Sequence, residues 1–134
     1  MPEQHDAGLL DTSVVIDLGQ LDEERLPGRA AICAVTLAEL SAGPAATEGP
    51  AERARRQDRL QRVEAAFEPI AFGTEAARAY GRVYAAVVAS GRQPRRRIAD
   101  LMIACVALAE GLPLYTRNPD DFAGLDSLLE IVAV

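Results

Sequence analysis

The stretch Arg97-Ile98-Ala99-Asp100-Leu101-Met102-Ile103-Ala104-Cys105-Val106-Ala107-Leu108-Ala109-Glu110-Gly111 sets one carboxylate, Asp100, in front of nine consecutive apolar residues. Good helix formers fill that run, and Gly111 stands where a helix C-cap belongs. With no polar face along the run, the spacing predicts a helix buried on all sides. Asp100 then enters the protein interior in the first helical turn. An isolated ionised carboxylate is costly in an apolar interior, so pairing, hydrogen bonds or a cation must compensate it. The rest of the chain is expected to bring that company.

On the C-terminal side, Pro113 to Thr116 reads as a short strand. It runs into Arg117-Asn118-Pro119-Asp120-Asp121-Phe122, where Asn-Pro-Asp is turn chemistry and the two aspartates serve either a solvent-facing turn or a site. Leu128 to Val134 supplies a last apolar strand. On the N-terminal side, Gly91 to Arg97 is a loop holding Arg92, Arg95, Arg96 and Arg97 around Pro94, the densest positive charge in the chain. Such a loop is either solvated or holds phosphates. A helix is expected from a Thr74 cap to about Ala89, with Tyr80 and Tyr84 on its packing or partner face. Glu68 to Phe72 reads as a strand with its proline near the start, and Pro50 to Phe67 as an exposed, charge-laced amphipathic helix.

Further upstream, Ala30 to Val35 reads as a strand and Thr36 to Ala42 as a helix. Thr36-Leu37-Ala38-Glu39 suits a capping box, in which the glutamate serves only the helix end. Ala7 to Leu10 is an apolar strand ending abruptly at Asp11-Thr12-Ser13, where a helix starts. Asp11 either caps that helix or occupies the carboxyl end of a strand, where open parallel sheets bind ligands. Strands thus alternate with helices, which predicts one α/β domain over residues 1–134. Its parallel sheet should hold four to five short strands flanked by helices, and residues 1–6 are expected to be disordered.

Composition narrows the chemistry. All fourteen basic residues are arginine and the formal charge is −6. Without lysine, P-loop NTPases, receivers, Schiff-base enzymes and protein kinases each lack a required residue. The sole histidine, His5, lies near the N-terminus, which disfavours Ser-His-Asp or Cys-His nucleophiles and His-based zinc sites. Cys33 and Cys105 sit in apolar runs and read as small buried hydrophobes of a reducing compartment. No apolar run approaches the roughly 18 residues of a spanning helix and no signal pattern is evident, so a cytoplasmic location without membrane contact is expected. Any enzyme here must work through carboxylates and a metal.

Four segments together resemble a known family. Leu10-Asp11-Thr12-Ser13-Val14-Val15-Ile16, Val35-Thr36-Leu37-Ala38-Glu39-Leu40, Ile98-Ala99-Asp100-Leu101-Met102-Ile103-Ala104 and Tyr115-Thr116-Arg117-Asn118-Pro119-Asp120-Asp121-Phe122 occur in the order of the PIN-domain ribonucleases, and of the VapC toxins of VapBC toxin–antitoxin systems among them. The resemblance covers nearly the whole chain. It implies a cytoplasmic endoribonuclease dependent on Mg2+ or Mn2+, with Asp11, Glu39 and Asp100 as its acidic residues. It also implies a cognate VapB-type antitoxin partner and a homodimer. The fourth position, aspartate in some members, is Asn118 here, and Asp121 stands near enough in sequence to add charge.

Magnesium favours hard oxygen ligands and is commonly held by one or two carboxylates plus substrate phosphate. Asp11 and Asp100 are therefore the expected metal ligands, with Glu39 and Asn118 positioning the attacking water or a second ion and Asp121 the alternative to Asn118 in completing the catalytic set. Thr12, Ser13 and Thr116 are expected to hydrogen-bond the carboxylates. An acidic protein must bind RNA locally, and Arg95, Arg96, Arg97 and Arg117 are the expected contacts to a structured cellular RNA of the tRNA or rRNA class. The competing expectation is a catalytically weak PIN-like module that binds RNA or protein. A phosphatase with Asp11 as nucleophile is disfavoured, since Thr12-Ser13 offers no aspartate two positions on and lysine is absent.

Overall fold

The computed structural model describes residues 5–134; the expected disorder of residues 1–4 lies outside the described residues. Four strands form one parallel sheet: β1 (Ala7–Leu10), β2 (Arg29–Ala31), β3 (Leu114–Thr116) and β4 (Ile131–Ala133), in the order β2-β1-β3-β4. Leu9 pairs with Ala31 on one side and Leu114 on the other, and Tyr115 pairs with Val132. The chain leaves β1 toward one edge and later returns on its opposite flank. A crevice therefore opens at the carboxyl ends of β1 and β3, the place where doubly wound sheets bind ligands.

Five helices cover the sheet: α1 (Thr12–Ile16), α2 (Ala34–Ala42), α3 (Pro50–Ala66), α4 (Thr74–Ala89) and α5 (Ile98–Glu110). Alternate strand side chains face opposite ways, which divides the core in two. Leu9 and Leu114 join Val83, Leu101, Ile103, Ala104 and Phe122 on the α4–α5 side. Leu10 and Tyr115 join Val14, Val15, Ile32, Leu40 and Val63 on the other. The helix of the opening stretch forms as expected: Leu101 and Ile103 to Ala107 are all buried, and Gly111 ends it in the left-handed conformation (φ 67°). Gly111 makes that ending possible without the steric cost a side chain would incur there.

Several local expectations change: α4 begins at Thr74 with Gly73, not Thr74, as its N-cap, and the strand expected over Leu128 to Val134 contracts to Ile131–Ala133. The Glu68–Phe72 strand contracts to a single bridge between Ile70 and Cys33, in keeping with Pro69 having no N–H to give a ladder. The strand expected through Val35 stops at Ala31, and α2 begins at Ala34, capped from Cys33. Thr36 is thus inside α2 and no capping box forms. His5 and Asp6, expected in a disordered tail, are instead tied down. Their carbonyls accept from Gly28 and Arg29, and His5 Nε2 lies 2.7 Å from Glu130. Both cysteines are buried and free, and α3 carries ion pairs within the helix, Glu52 with Arg55 and with the half-buried Arg56, and Asp58 with Arg62. Among the described residues, no helix is long and apolar enough to cross a membrane.

Candidate active site

Asp11 sits where β1 becomes α1, and its two suggested roles coincide. It is the N-cap of α1, with Oδ1 accepting from the Val14 amide at 3.2 Å. Only 4% exposed, its carboxylate also accepts from Ser13 Oγ at 2.5 Å and from Thr116 Oγ1 at 2.7 Å. These hydroxyls have a second task. Ser13 Oγ accepts from the Arg117 amide at 3.1 Å, and Thr116 Oγ1 from the Asn118 amide at 2.9 Å. The turn after β3 is thereby fastened to Asp11 across a separation of more than a hundred residues.

Glu39 projects from the middle of α2. Its Oε1 accepts from Thr12 Oγ1 at 2.6 Å, and Thr12 Oγ1 lies 3.1 Å from the buried Thr36 Oγ1. The glutamate therefore serves a neighbour across the crevice and not its own helix end. Asp100 enters at the first turn of α5, half-buried, with no hydrogen-bond partner among the described residues. Its carboxyl is pushed up to about 6, first by burial and then by the negative charges of Asp121, Glu39 and Asp11, with Arg97 opposing. Carboxylates from three other segments thus act on Asp100 in the crevice.

Asn118 lies exposed at the head of the turn Pro119–Phe122, and Asp121 within that turn is half-buried. Asp121 Oδ1 accepts from Arg97 Nη1 and the two form an ion pair. Of the expected RNA contacts, Arg97 is therefore committed to Asp121, and Arg117 Nη1 lies 3.3 Å from Asp17 Oδ2. Arg95 and Arg96 are exposed. The pairings of Arg97 with Asp121 and Arg117 with Asp17, and the place of Thr36 beside Thr12, left no mark in the sequence because each joins residues of different elements.

Among the described residues, no three of His, Cys, Asp and Glu stand close enough to cage an ion by themselves. The donor set nonetheless suits magnesium or manganese, which keep several waters and take one or two carboxylates. All the donors are hard oxygens, and the mutual repulsion at Asp100 is the kind a divalent cation relieves.

The PIN domain family model matches residues 8–128. The chain belongs to the PIN-domain family. Its nearer relations are VapC proteins: Ribonuclease VapC5 of Mycobacterium tuberculosis is 44% identical over 133 residues, covering 96% of both chains. The crystal structure of VapBC-5 from the same organism, a member of the VapBC family of toxin–antitoxin systems, superposes with a TM-score of 0.85 over 96% of this chain and 99% of that one. The fold alone is shared with VapBC2 of Rickettsia felis, solved bound to a promoter DNA fragment, at 20% identity, a TM-score of 0.73 and coverage of 96% and 98%. This PIN domain thus carries Asp11, Glu39 and Asp100 at one crevice of the family's fold.

Proposed function

We propose that this PIN domain is a VapC-type toxin: a divalent-metal-dependent endoribonuclease that cuts a structured RNA of the tRNA or rRNA class in the cytoplasm and is held in check by a VapB-type antitoxin. The observation that carries the reading is the convergence of Asp11, Glu39, Asp100 and Asp121 on the crevice at the end of β1, where burial and the charges of the other three raise the Asp100 carboxyl. Asp11 and Asp100 would hold Mg2+ or Mn2+. The bound ion supplies a lowered water pKa and neutralises charge on the phosphate and the leaving oxygen.

The chain's own groups do the rest. Ser13 and Thr116 fix both oxygens of Asp11, so that its orientation is set before substrate arrives. Glu39, steadied by Thr12, accepts a proton from the attacking water. The exposed amide of Asn118 orients that water or a phosphate oxygen, and Asp121 adds negative charge beside Asp100. The 44% identity to a ribonuclease VapC5 over almost the full chain, and the likeness to a toxin–antitoxin member at a TM-score of 0.85, support the activity and the antitoxin partner. Tyr84, 45% exposed, and the α2–α3 segment offer surfaces for the antitoxin and for a second copy.

The test is incubation of purified protein with total RNA, in magnesium or EDTA, beside Asp11→Ala and Asp100→Ala. Discrete fragments that require the metal and both aspartates are expected. RNA retained by every preparation but cut by none would overturn the enzyme in favour of a binding module, the reading that Asn118 at the fourth position favours.

A further inference from the structure

Next to the carboxylates lies a second feature, a pocket of about 380 Å3 between the α4–α5 loop and the turn after β3. Arg92, Gln93, Arg96 and Arg97 line one side, Asp121 and Ala123 the other, with Val87 and Leu101 at its apolar base. Its walls are firmly built. The Gly91 and Arg92 amides donate to the Val88 and Val87 carbonyls at the end of α4, and Arg92 Nη1 donates to the Asp120 carbonyl at 2.6 Å, joining the two sides. Gly124 packs against Ser90 so closely that an added Cβ would lie 2.9 Å from the serine side chain, which holds the far wall against α4.

We infer that this pocket is a subsite for one nucleotide of the substrate strand adjacent to the scissile bond, its phosphate held by Arg92 and Arg96 and its base lying against Val87 and Leu101. The inference rests on the ribonuclease reading and extends it. Three guanidinium groups face one carboxylate, and Arg97 already neutralises that one. Arg92 spends one donor on a carbonyl and keeps four for a ligand, while Arg96 has no side-chain partner among the described residues. Guanidinium planes both bind phosphate and stack on bases, and Gln93 adds an amide with donor and acceptor. The volume lies in the range of small-ligand sites, about 300–1,000 Å3, and suits a nucleotide. Asp121 and Arg97 belong to both the pocket and the carboxylate crevice, so a strand cut at Asp11 and Asp100 and leaving on the α5 side lays a neighbouring phosphate across this surface. Arg95, next in sequence and equally charged, does not line the pocket.

The experiment measures anisotropy of a fluorescent RNA oligonucleotide in EDTA, which withholds the metal that cleavage requires, over a series of KCl concentrations. Arg92→Ala and Arg96→Ala should each weaken binding about 3- to 10-fold. Each should also lower the slope of log K against log salt by about 0.7, the release expected per phosphate contact on a single strand. Arg95→Ala should do so by less than half as much, and Arg82→Ala, on the exposed face of α4, not at all. In magnesium, the two pocket variants should raise KM for RNA cleavage. A nucleoside 5′-monophosphate should compete with the oligonucleotide for wild type and lose that ability with the Arg92/Arg96 double variant. Equal losses at Arg95 and Arg96, or an unchanged affinity and salt slope in the double variant of an enzyme that still cuts RNA, would overturn the subsite alone. Loss of antitoxin affinity with RNA affinity unchanged would overturn it too, in favour of an acidic protein segment as occupant. A wild type that neither binds nor cuts RNA would overturn both this inference and the ribonuclease reading.

Discussion

Replacing Asp100 by asparagine should make the metal-free protein more stable while abolishing its activity. In the folded chain the Asp100 carboxyl is raised from 3.8 to about 6 by burial and by Asp121, Glu39 and Asp11. A shift of about two units corresponds to roughly 3 kcal/mol against the ionised form. The group is only half-buried, and solvent screening reduces that to about 1.5 kcal/mol. Asparagine also forfeits the attraction of a negative charge to the first turn of α5, worth about 0.3–1 kcal/mol. The two effects oppose one another, and the repulsion wins by about 1 kcal/mol, or about 4 °C in Tm for a chain of this size. The sign with pH follows from a folded pKa above the unfolded one. The penalty is full above pH 6 and is relieved as pH falls from there toward 3.8, so the gap between variant and wild type should close by about pH 4. Magnesium at ten times its Kd should stabilise wild type by about 1.4 kcal/mol and the variant by far less, which removes or reverses the order seen in EDTA. Calorimetry or thermal fluorescence at pH 7.5 and pH 4 settles the matter. A variant no more stable than wild type in EDTA at pH 7.5, with a wild-type Tm indifferent to magnesium, would refute the carboxylate cluster as a metal site.

Four further substitutions probe the neighbourhood. Thr116→Val removes the hydroxyl that donates to Asp11 Oδ2 and accepts from the Asn118 amide; with the site fully buried, a loss of about 2–3 kcal/mol in urea unfolding is expected. Asp121→Asn removes the largest of the charges acting on Asp100, so the fall in stability between pH 4 and pH 7 should shrink, whereas Asn118→Ala should leave that pH dependence alone and lower only RNA cleavage. Gly8→Ala places a Cβ 2.6 Å from Tyr115 Cε1, and because that ring is buried on all sides the crowding should cost about 1–3 kcal/mol in thermal unfolding.

What the sequence disclosed depended on how far each signal had to reach. The helix of Ile98–Glu110 was legible because its apolar run and its terminal glycine are local properties of the chain. The parallel sheet followed from the alternation of strands and helices. The reading of Thr36 to Glu39 as a capping box failed for a tertiary reason: the Ala34 amide donates to the Ile70 carbonyl, Cys33 bridges Ile70, and α2 starts two residues earlier than local preference suggests. Glu39 then falls in the helix middle, facing Thr12 across the crevice. The partnership of Arg97 with Asp121 was hidden because 24 residues separate them, and four arginines within seven residues, Gly91 to Arg97, give no sign of which one turns inward.

The two aspartates proposed to hold the metal are built on opposite principles. Asp11 is given three donors by the fold, two of them hydroxyls that also anchor the next strand's turn, so its charge is accommodated whether or not an ion is present. Asp100 receives no such donor, has its carboxyl raised first by burial and then by three acidic neighbours, and stands on a deeply packed helix. A cation held between them would therefore meet one carboxylate already oriented and another whose ionised form it stabilises. Binding would then relieve the repulsion at Asp100, while Asp11 sets the geometry. Removing either carboxylate should abolish activity, yet only the loss of Asp100 should stabilise the metal-free fold. Asp11→Asn should destabilise it, since the asparagine amide would face the Ser13 and Thr116 hydroxyls with one acceptor where the carboxylate had two.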